Sequence, residues 1–235
     1  MKKWMYLILI LIIVIPVLFF YNAFNGNPVS KLLSTSALKK HLENTYPDKE
    51  YQINEGFYNF KIGGYSYDVV QIGSEKEYEF EVTGFLIPTV SYDAIYYANL
   101  DEPLIEKWEK EASKEINKLL EKDVPELLNV DVQVEVLKGK YNAETKWSKD
   151  LKLENPMYIH IITDAAGKTK EDIVQTMKTI QKHLNDNNYT YDSVTINSNV
   201  KDKEFADKDP FGYVKYSGSF TKEKKIKLND IEQFE

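Results

Sequence analysis

At 235 residues, with 43% hydrophobic and 29% charged side chains, the chain is long enough for one or two packed domains and carries no signature of disorder. No cysteine occurs, which excludes thiol catalysis, disulfide staples, Cys-ligated zinc, iron–sulfur clusters and a lipoprotein-type anchor. The net charge is −7 and all 30 basic residues are Lys, so the bidentate forks that grip phosphate are missing and nucleic-acid and nucleotide recognition are disfavoured.

The first element is apolar. Trp4 to Tyr21 is a run of 18 uncharged residues dominated by Leu, Ile, Val and Phe. At 1.5 Å per residue it spans about 27 Å, close to the hydrocarbon thickness of a bilayer. Trp4, Tyr6 and Tyr21 stand where interfacial aromatics belong, and Pro16 is tolerated in a membrane helix. Lys2 and Lys3 precede the run and favour a cytoplasmic N-terminus with the bulk of the chain exported. A cleaved signal peptide fits less well, because the apolar core is longer than such signals carry and a cut after Ala23 would leave bulky Tyr21 where a small residue is needed. The expected organisation is a membrane anchor with a short cytoplasmic tail over 1–24, a first unit over 25–125 and a second over 126–235. Setting aside Lys2 and Lys3 takes the net charge from −7 to −9, an acidic ectodomain that repels nucleic acid and anionic headgroups.

After the turn-rich exit Asn25-Gly26-Asn27-Pro28, the chain reads as helix to Tyr46, with Leu38, His41, Leu42 and Tyr46 on one face and Pro47 as its stop. A strand-rich stretch follows to Tyr97. Its clearest strand is Lys76 to Val82, in which Tyr78, Phe80 and Val82 alternate with Glu77, Glu79 and Glu81, and Gly63-Gly64 marks a hairpin turn. Pro103 opens a second helix with an apolar stripe of Leu104, Trp108, Ala112, Ile116 and Leu119, and a unit boundary is expected near Pro125. Beyond it, Val130, Val132, Val134 and Val136 alternate with polar residues as a strand, Tyr141 to Asn155 is a polar loop, and Met157 to Ile162 suits a central strand buried on both faces. Thr169-x-x-Asp172 starts a third helix burying Ile173, Met177, Ile180 and Leu184. Strands over 189–197 and 213–220 follow, and the last fifteen residues read as a loosely held charged tail. The fold class is α+β: an N-terminal transmembrane helix, then two helix-on-antiparallel-sheet subdomains.

The anchor, the exit Asn25-Gly26-Asn27-Pro28, the first helix ending at Tyr46-Pro47 and the following Phe57-Tyr58-Asn59-Phe60 resemble the YfjL-like proteins of Bacillus and relatives. The resemblance runs over the whole length and implies a small membrane-anchored protein of a Gram-positive cell. It brings no catalytic residues with it. Abundant Lys, Ile, Asn and Tyr without Arg fits a low-GC bacterial genome as well.

Candidate chemistry is sparse. His41, His160 and His183 lie on separate elements without ligand spacing, and for His160 a neutral hydrogen-bonded core role is the default. An active site would need carboxylates converging on His41 or His160 in a pocket. Ser36-Ala37-Leu38-Lys39 matches S-x-x-K, but the companion elements of penicillin-recognising enzymes are missing. Asp202, Glu204, Asp207 and Asp209 could invite calcium, yet Lys201, Lys203 and Lys208 interleave with them and the loop spacing is wrong, so a solvated loop is expected. Glu77, Glu79 and Glu81 read as the wet face of a sheet. Asp164 to Lys168 lacks the first glycine of a phosphate loop. No residue is therefore assigned to catalysis, cofactor or metal, and no cofactor is expected. The expected role is a non-enzymatic binding module of the cell envelope, held in the membrane by Trp4 to Tyr21, with an envelope protein as partner and neither nucleic acid nor nucleotide. A hydrolase-type extracytoplasmic enzyme is the alternative.

Overall fold

The computed structural model describes residues 2–74, 76–201 and 210–234. The chain divides into two compact units, Met1–Ala98 and Asn99–Glu235.

The first unit opens with helix α1 (Lys2–Asn25), which carries the apolar run, continues through Pro16, and exposes its side chains from Ile10 onward. Among the described residues, this N-terminal helical segment is the one long and apolar enough to cross a membrane. Only Gly26 and Asn27 separate it from α2 (Pro28–Thr45). Asn27 caps α2 through its side chain, which accepts from the Ser30 amide at 2.9 Å, while Pro28 occupies the first turn where no amide is needed.

Helix α2 packs on an antiparallel sheet of β1 (Tyr51–Ile53), β2 (Phe57–Asn59), β3 (Gly64–Gln71), β4 (Glu77–Thr83) and β5 (Thr89–Asp93). β3 is central: β1 pairs with its C-terminal half and β2 with its N-terminal half, along the same edge, while β4 takes the other edge. Leu38 and Leu42 of α2 form the core with Tyr65, Tyr67, Val69, Phe80, Val82 and Ile95. The inner alternation of β4 is as its sequence demands, with Phe80 and Val82 buried while Glu77 and Glu79 are exposed. Helix α3 (Ala94–Ala98), unforeseen in the sequence, ends the unit; Asp93 caps it by accepting from the Tyr96 amide at 3.0 Å.

In the second unit, α4 (Glu102–Leu120) buries Leu104, Trp108, Ala112, Ile116 and Leu120. The stripe ends on Leu120 rather than Leu119, since a four-residue step carried from Leu104 arrives there. α4 packs beside β6 (Leu127–Gln133), an edge strand whose outward amides it occupies: Ser113 Oγ accepts from the Val132 amide at 3.0 Å and Glu109 Oε1 from the Val134 amide at 3.3 Å. This pairing puts the helix with the second unit, so the division falls near residue 98, ahead of the expected boundary near Pro125. The polar 141–155 segment has no regular structure; it crosses α4, whose buried Trp108 Nε1 donates to the Thr145 carbonyl at 2.9 Å and contacts the rings of Tyr141 and Trp147.

The second sheet has the order β10-β9-β8-β7-β6, with β7 (Met157–Asp164), β8 (Tyr191–Val200), β9 (Tyr213–Phe220) and β10 (Ile231–Gln233). It is mixed rather than antiparallel, because β7 and β8 run parallel. Helix α5 (Lys170–Asp186) makes the crossover between them that a parallel pair requires. Thr169 and Asp172 form the expected capping box, and Ile173, Met177, Ile180 and Leu184 are buried. β7 is buried on one face and only in part on the other: Met157, Ile159 and Ile161 are inside, while on the second face Ile162 is buried and Tyr158 and His160 are half-buried. The tail is held, not loose. Ile226 and Ile231 are buried, and β10 pairs with β9, which explains why two isoleucines recur among the lysines.

Candidate functional site

The residues with chemical potential in the sequence do not gather into one centre. In the first unit, His41 Nε2 lies 2.8 Å from Asp93 Oδ2, and the Tyr46 hydroxyl donates to the same oxygen at 2.8 Å. Burial and then the hydrogen bond to Asp93 push the Tyr46 phenol well above its ordinary range. The group is a single carboxylate shared between a ring and a phenol, with its other oxygen committed to capping α3. In the second unit, His160 sits beside Asn197, whose Nδ2 donates to Nε2 at 3.1 Å, with Asp131 at 4.0 Å, and His183 lies 3.3 Å from Asp123. His160 is thus a half-exposed sheet-face residue, not a core one.

Ser36 is exposed on α2, and Lys39 pairs along the helix with Glu43 at 3.8 Å. Asp164 closes a local turn by accepting from the Ala166 amide at 2.9 Å, while Lys168 turns to Glu126 at 3.8 Å. Glu77 accepts from Asn54, and Glu79 faces solvent. The acidic loop Asp202, Glu204, Asp207 and Asp209 lies outside the described residues. Among the described residues, no group of three or more His, Asp or Glu side chains is placed to hold a metal ion.

A concavity lies instead at the α1 end of the first unit. A cleft of about 400 Å³ opens where α1 ends, between its last two turns and the tips of the β2–β3 and β4–β5 hairpins. Phe19, Asn22 and Ala23 supply one wall, Gly63, Gly64 and Phe85 the other, and Asn27, Ser30, Tyr58 and Tyr65 the floor. A shallower cleft of about 610 Å³ lies on the other side of the same junction and includes Tyr21, Lys31, Glu55 and Phe57.

Tyr65 organises the floor. Its hydroxyl donates to the Asn27 carbonyl at 2.9 Å, accepts from the Asn27 amide at 3.1 Å, and lies 2.9 Å from Ser30 Oγ. Tyr58 packs edge-on against it with ring centroids 5.2 Å apart. Gly26 is required here twice over: its φ is +67°, and a Cβ would fall 2.4 Å from the Tyr65 hydroxyl. Across the second cleft, Lys31 Nζ meets Glu55 at 3.0 Å, and this hydrogen bond holds the Glu55 carboxyl below its ordinary value. The floor hydroxyls of Tyr65 and Ser30 are spent on the junction, so the cleft presents chiefly the Phe19, Tyr58 and Phe85 rings and the Asn22 amide. In the sequence, Asn25-Gly26-Asn27-Pro28 and Gly63-Gly64 read only as turns; their meeting across Tyr65 is a tertiary fact.

Comparison with known proteins follows the same division of the chain. Residues 1–94 match the YfjL-like N-terminal domain, and residues 111–232 match the YfjL-like C-terminal domain. The protein named "Uncharacterized protein YfjL" of Bacillus subtilis (strain 168) is 33% identical over 233 residues, covering 99% of each chain. Among solved structures, a DUF5037 family protein from Ruminococcus gnavus aligns over 79% of this chain and 81% of its own, at 11% identity and a TM-score of 0.24. With both domains matched and near-complete coverage of a relative, the chain belongs to the YfjL-like family.

Proposed function

We propose that the protein is a single-pass membrane protein whose two helix-on-sheet units stand outside the cytoplasmic membrane and act as a non-enzymatic binding module of the cell envelope. The observation that carries this reading is the cleft of about 400 Å³ built where α1 meets the first sheet. Exposed Asn22 and half-buried Tyr58 line it and are the groups that a bound partner meets. Lys2 and Lys3 ahead of the apolar run favour the orientation with the units outside. Two experiments test the reading. Lys146→Cys, at an exposed position in a chain without native cysteine, is labelled by a membrane-impermeant maleimide on intact cells if the units are outside; labelling only after lysis rejects the localisation. A photo-crosslinking amino acid at Tyr58 then traps one discrete envelope protein, absent when the same group stands at Lys146. Equal or no trapping at both positions rejects the binding module.

The second reading is an extracytoplasmic hydrolase-type enzyme, favoured by the His41–Asp93 contact at 2.8 Å. His41→Ala removing a cellular phenotype that Tyr58 substitutions leave intact would decide for it.

A further inference from the structure

We propose that the tips of the β2–β3 and β4–β5 hairpins insert into the membrane beside α1, so that the first unit is seated in the lipid interface rather than held above it on a stalk. This rests on α1 being a membrane anchor. Three independent observations lead to it.

The first is depth. Phe85 and Gly63 line the same cleft as Phe19 and Ala23, so both hairpin tips stand level with the last two turns of α1. Phe19 belongs to the apolar run, which ends only at Tyr21. A loop level with Phe19 is therefore at or below the aromatic boundary of the span. On the β2 side, Phe60 packs against Phe24 with ring centroids 5.7 Å apart, fixing that tip to the helix as well.

The second is exposure. Phe85, Leu86 and Ile87 are 67%, 77% and 84% exposed, consecutive residues at the turn that follows Gly84. Three adjacent large apolar side chains pointing away from the protein need an apolar environment to account for them. Phe60, at the other tip, is 56% exposed. The third is charge. In a strongly acidic chain, the stretches 57–67 and 82–92 contain no carboxylate at all, and their one charge is Lys61. Lysine at the tip can lay its stem along lipid and carry its ammonium to the headgroup phosphates. Aromatic and aliphatic tips without acids are what an interface-seated surface requires. Lipid, not a second protein, is the occupant these facts select, because the tips continue the surface of the anchoring helix itself.

The full-length protein, reconstituted in vesicles of phosphatidylethanolamine and phosphatidylglycerol, provides the test. Single cysteines at Leu18→Cys, Leu86→Cys and Lys146→Cys carry an environment-sensitive fluorophore, and nitroxide-labelled lipids act as quenchers. All three positions are exposed, so labelling leaves the packing intact. The expected result is blue-shifted emission and loss of fluorescence to lipid quencher at Leu18→Cys and Leu86→Cys, with neither at Lys146→Cys. Water-like, unquenched emission at Leu86→Cys beside a quenched Leu18→Cys overturns the seating while leaving the anchor intact. Blue-shifted emission at Leu86→Cys without lipid quenching means that protein covers the tip, a second copy included, and also overturns it. An unquenched Leu18→Cys removes the anchor itself, and the seating with it.

Discussion

The Tyr65 hydroxyl, at the start of β3, holds both the amide and the carbonyl of Asn27, the residue that joins α1 to α2. One side chain thus closes the junction that a two-residue connection would otherwise leave to the backbone. Tyr65→Phe removes these bonds and leaves the half-buried Asn27 groups to find other partners, with an expected loss of about 1–3 kcal/mol. Gly26→Ala combines a disfavoured φ with a clash against the same hydroxyl and is the more damaging of the two. Urea unfolding of the detergent-solubilised chain, followed by the melting of the first unit, ranks the two variants.

Trp108 is fully buried and ties the 141–147 segment to α4 through one hydrogen bond and two ring contacts. Trp108→Ala should cost about 3–5 kcal/mol. It also releases the segment, so trypsin cleavage at Lys146 accelerates relative to the parent. Destabilisation without that local sensitivity would show that other contacts hold the loop.

At Glu109, burial raises the carboxyl pKa above its ordinary 4.5, against the lowering effect of the Val134 amide. The folded protein then holds this proton to higher pH than the unfolded chain, so stability from this group is lost as pH rises above 4.5. Glu109→Gln keeps an acceptor for the Val134 amide without the charge and should match or exceed the parent at pH 7. Glu109→Ala orphans the amide and should cost about 1–3 kcal/mol. Chemical denaturation at pH 5 and pH 7 separates the two effects.

Alkaline pH acts through phenols. Burial pushes Tyr191 from 10.0 up to about 12, and burial with the Glu115 hydrogen bond pushes Tyr189 up as well. The unfolded chain gives up these protons from pH 10.0 while the folded one keeps them, so stability is complete below that pH and falls above it. Tyr191→Phe should shallow the decline between pH 10.0 and about 12, read as denaturation midpoint against pH.

The C-terminal strand gives the fifth site of stability. Ile231→Ala empties the buried first position of β10 and should cost about 2–5 kcal/mol. Truncation before Ile226 should unfold the second unit, visible by circular dichroism.

Much of the architecture is legible because apolar spacing survives burial. The Leu104, Trp108, Ala112 and Ile116 stripe announces one face of α4, and the alternating valines of 130–136 are all buried, although β6 ends at Gln133 and only Val130 and Val132 belong to it. What such spacing omits is partnership. Nothing in α4 alone says that Ser113 meets the Val132 amide of β6 and Glu109 the Val134 amide just beyond it, so spacing alone left the helix in the first unit. The direction of β8 against β7 is likewise absent from alternation; the helix-length stretch between 170 and 186 was the available signal for a parallel pair. β10 escaped because three residues in a polar stretch make no period. The cleft at the end of α1 was invisible for the same reason: Gly26, Tyr58, Gly64 and Tyr65 become neighbours only after the sheet forms.

The two-residue join at Gly26 and Asn27 has a mechanical result. A tether of flexible residues lets a domain tumble independently of the helix before it, whereas here the helix axis and the first sheet are pinned by the Tyr65 contacts and the tilted Phe24–Phe60 ring contact. Any tilt of α1 is therefore passed to the sheet as a rotation, with the helix as its lever.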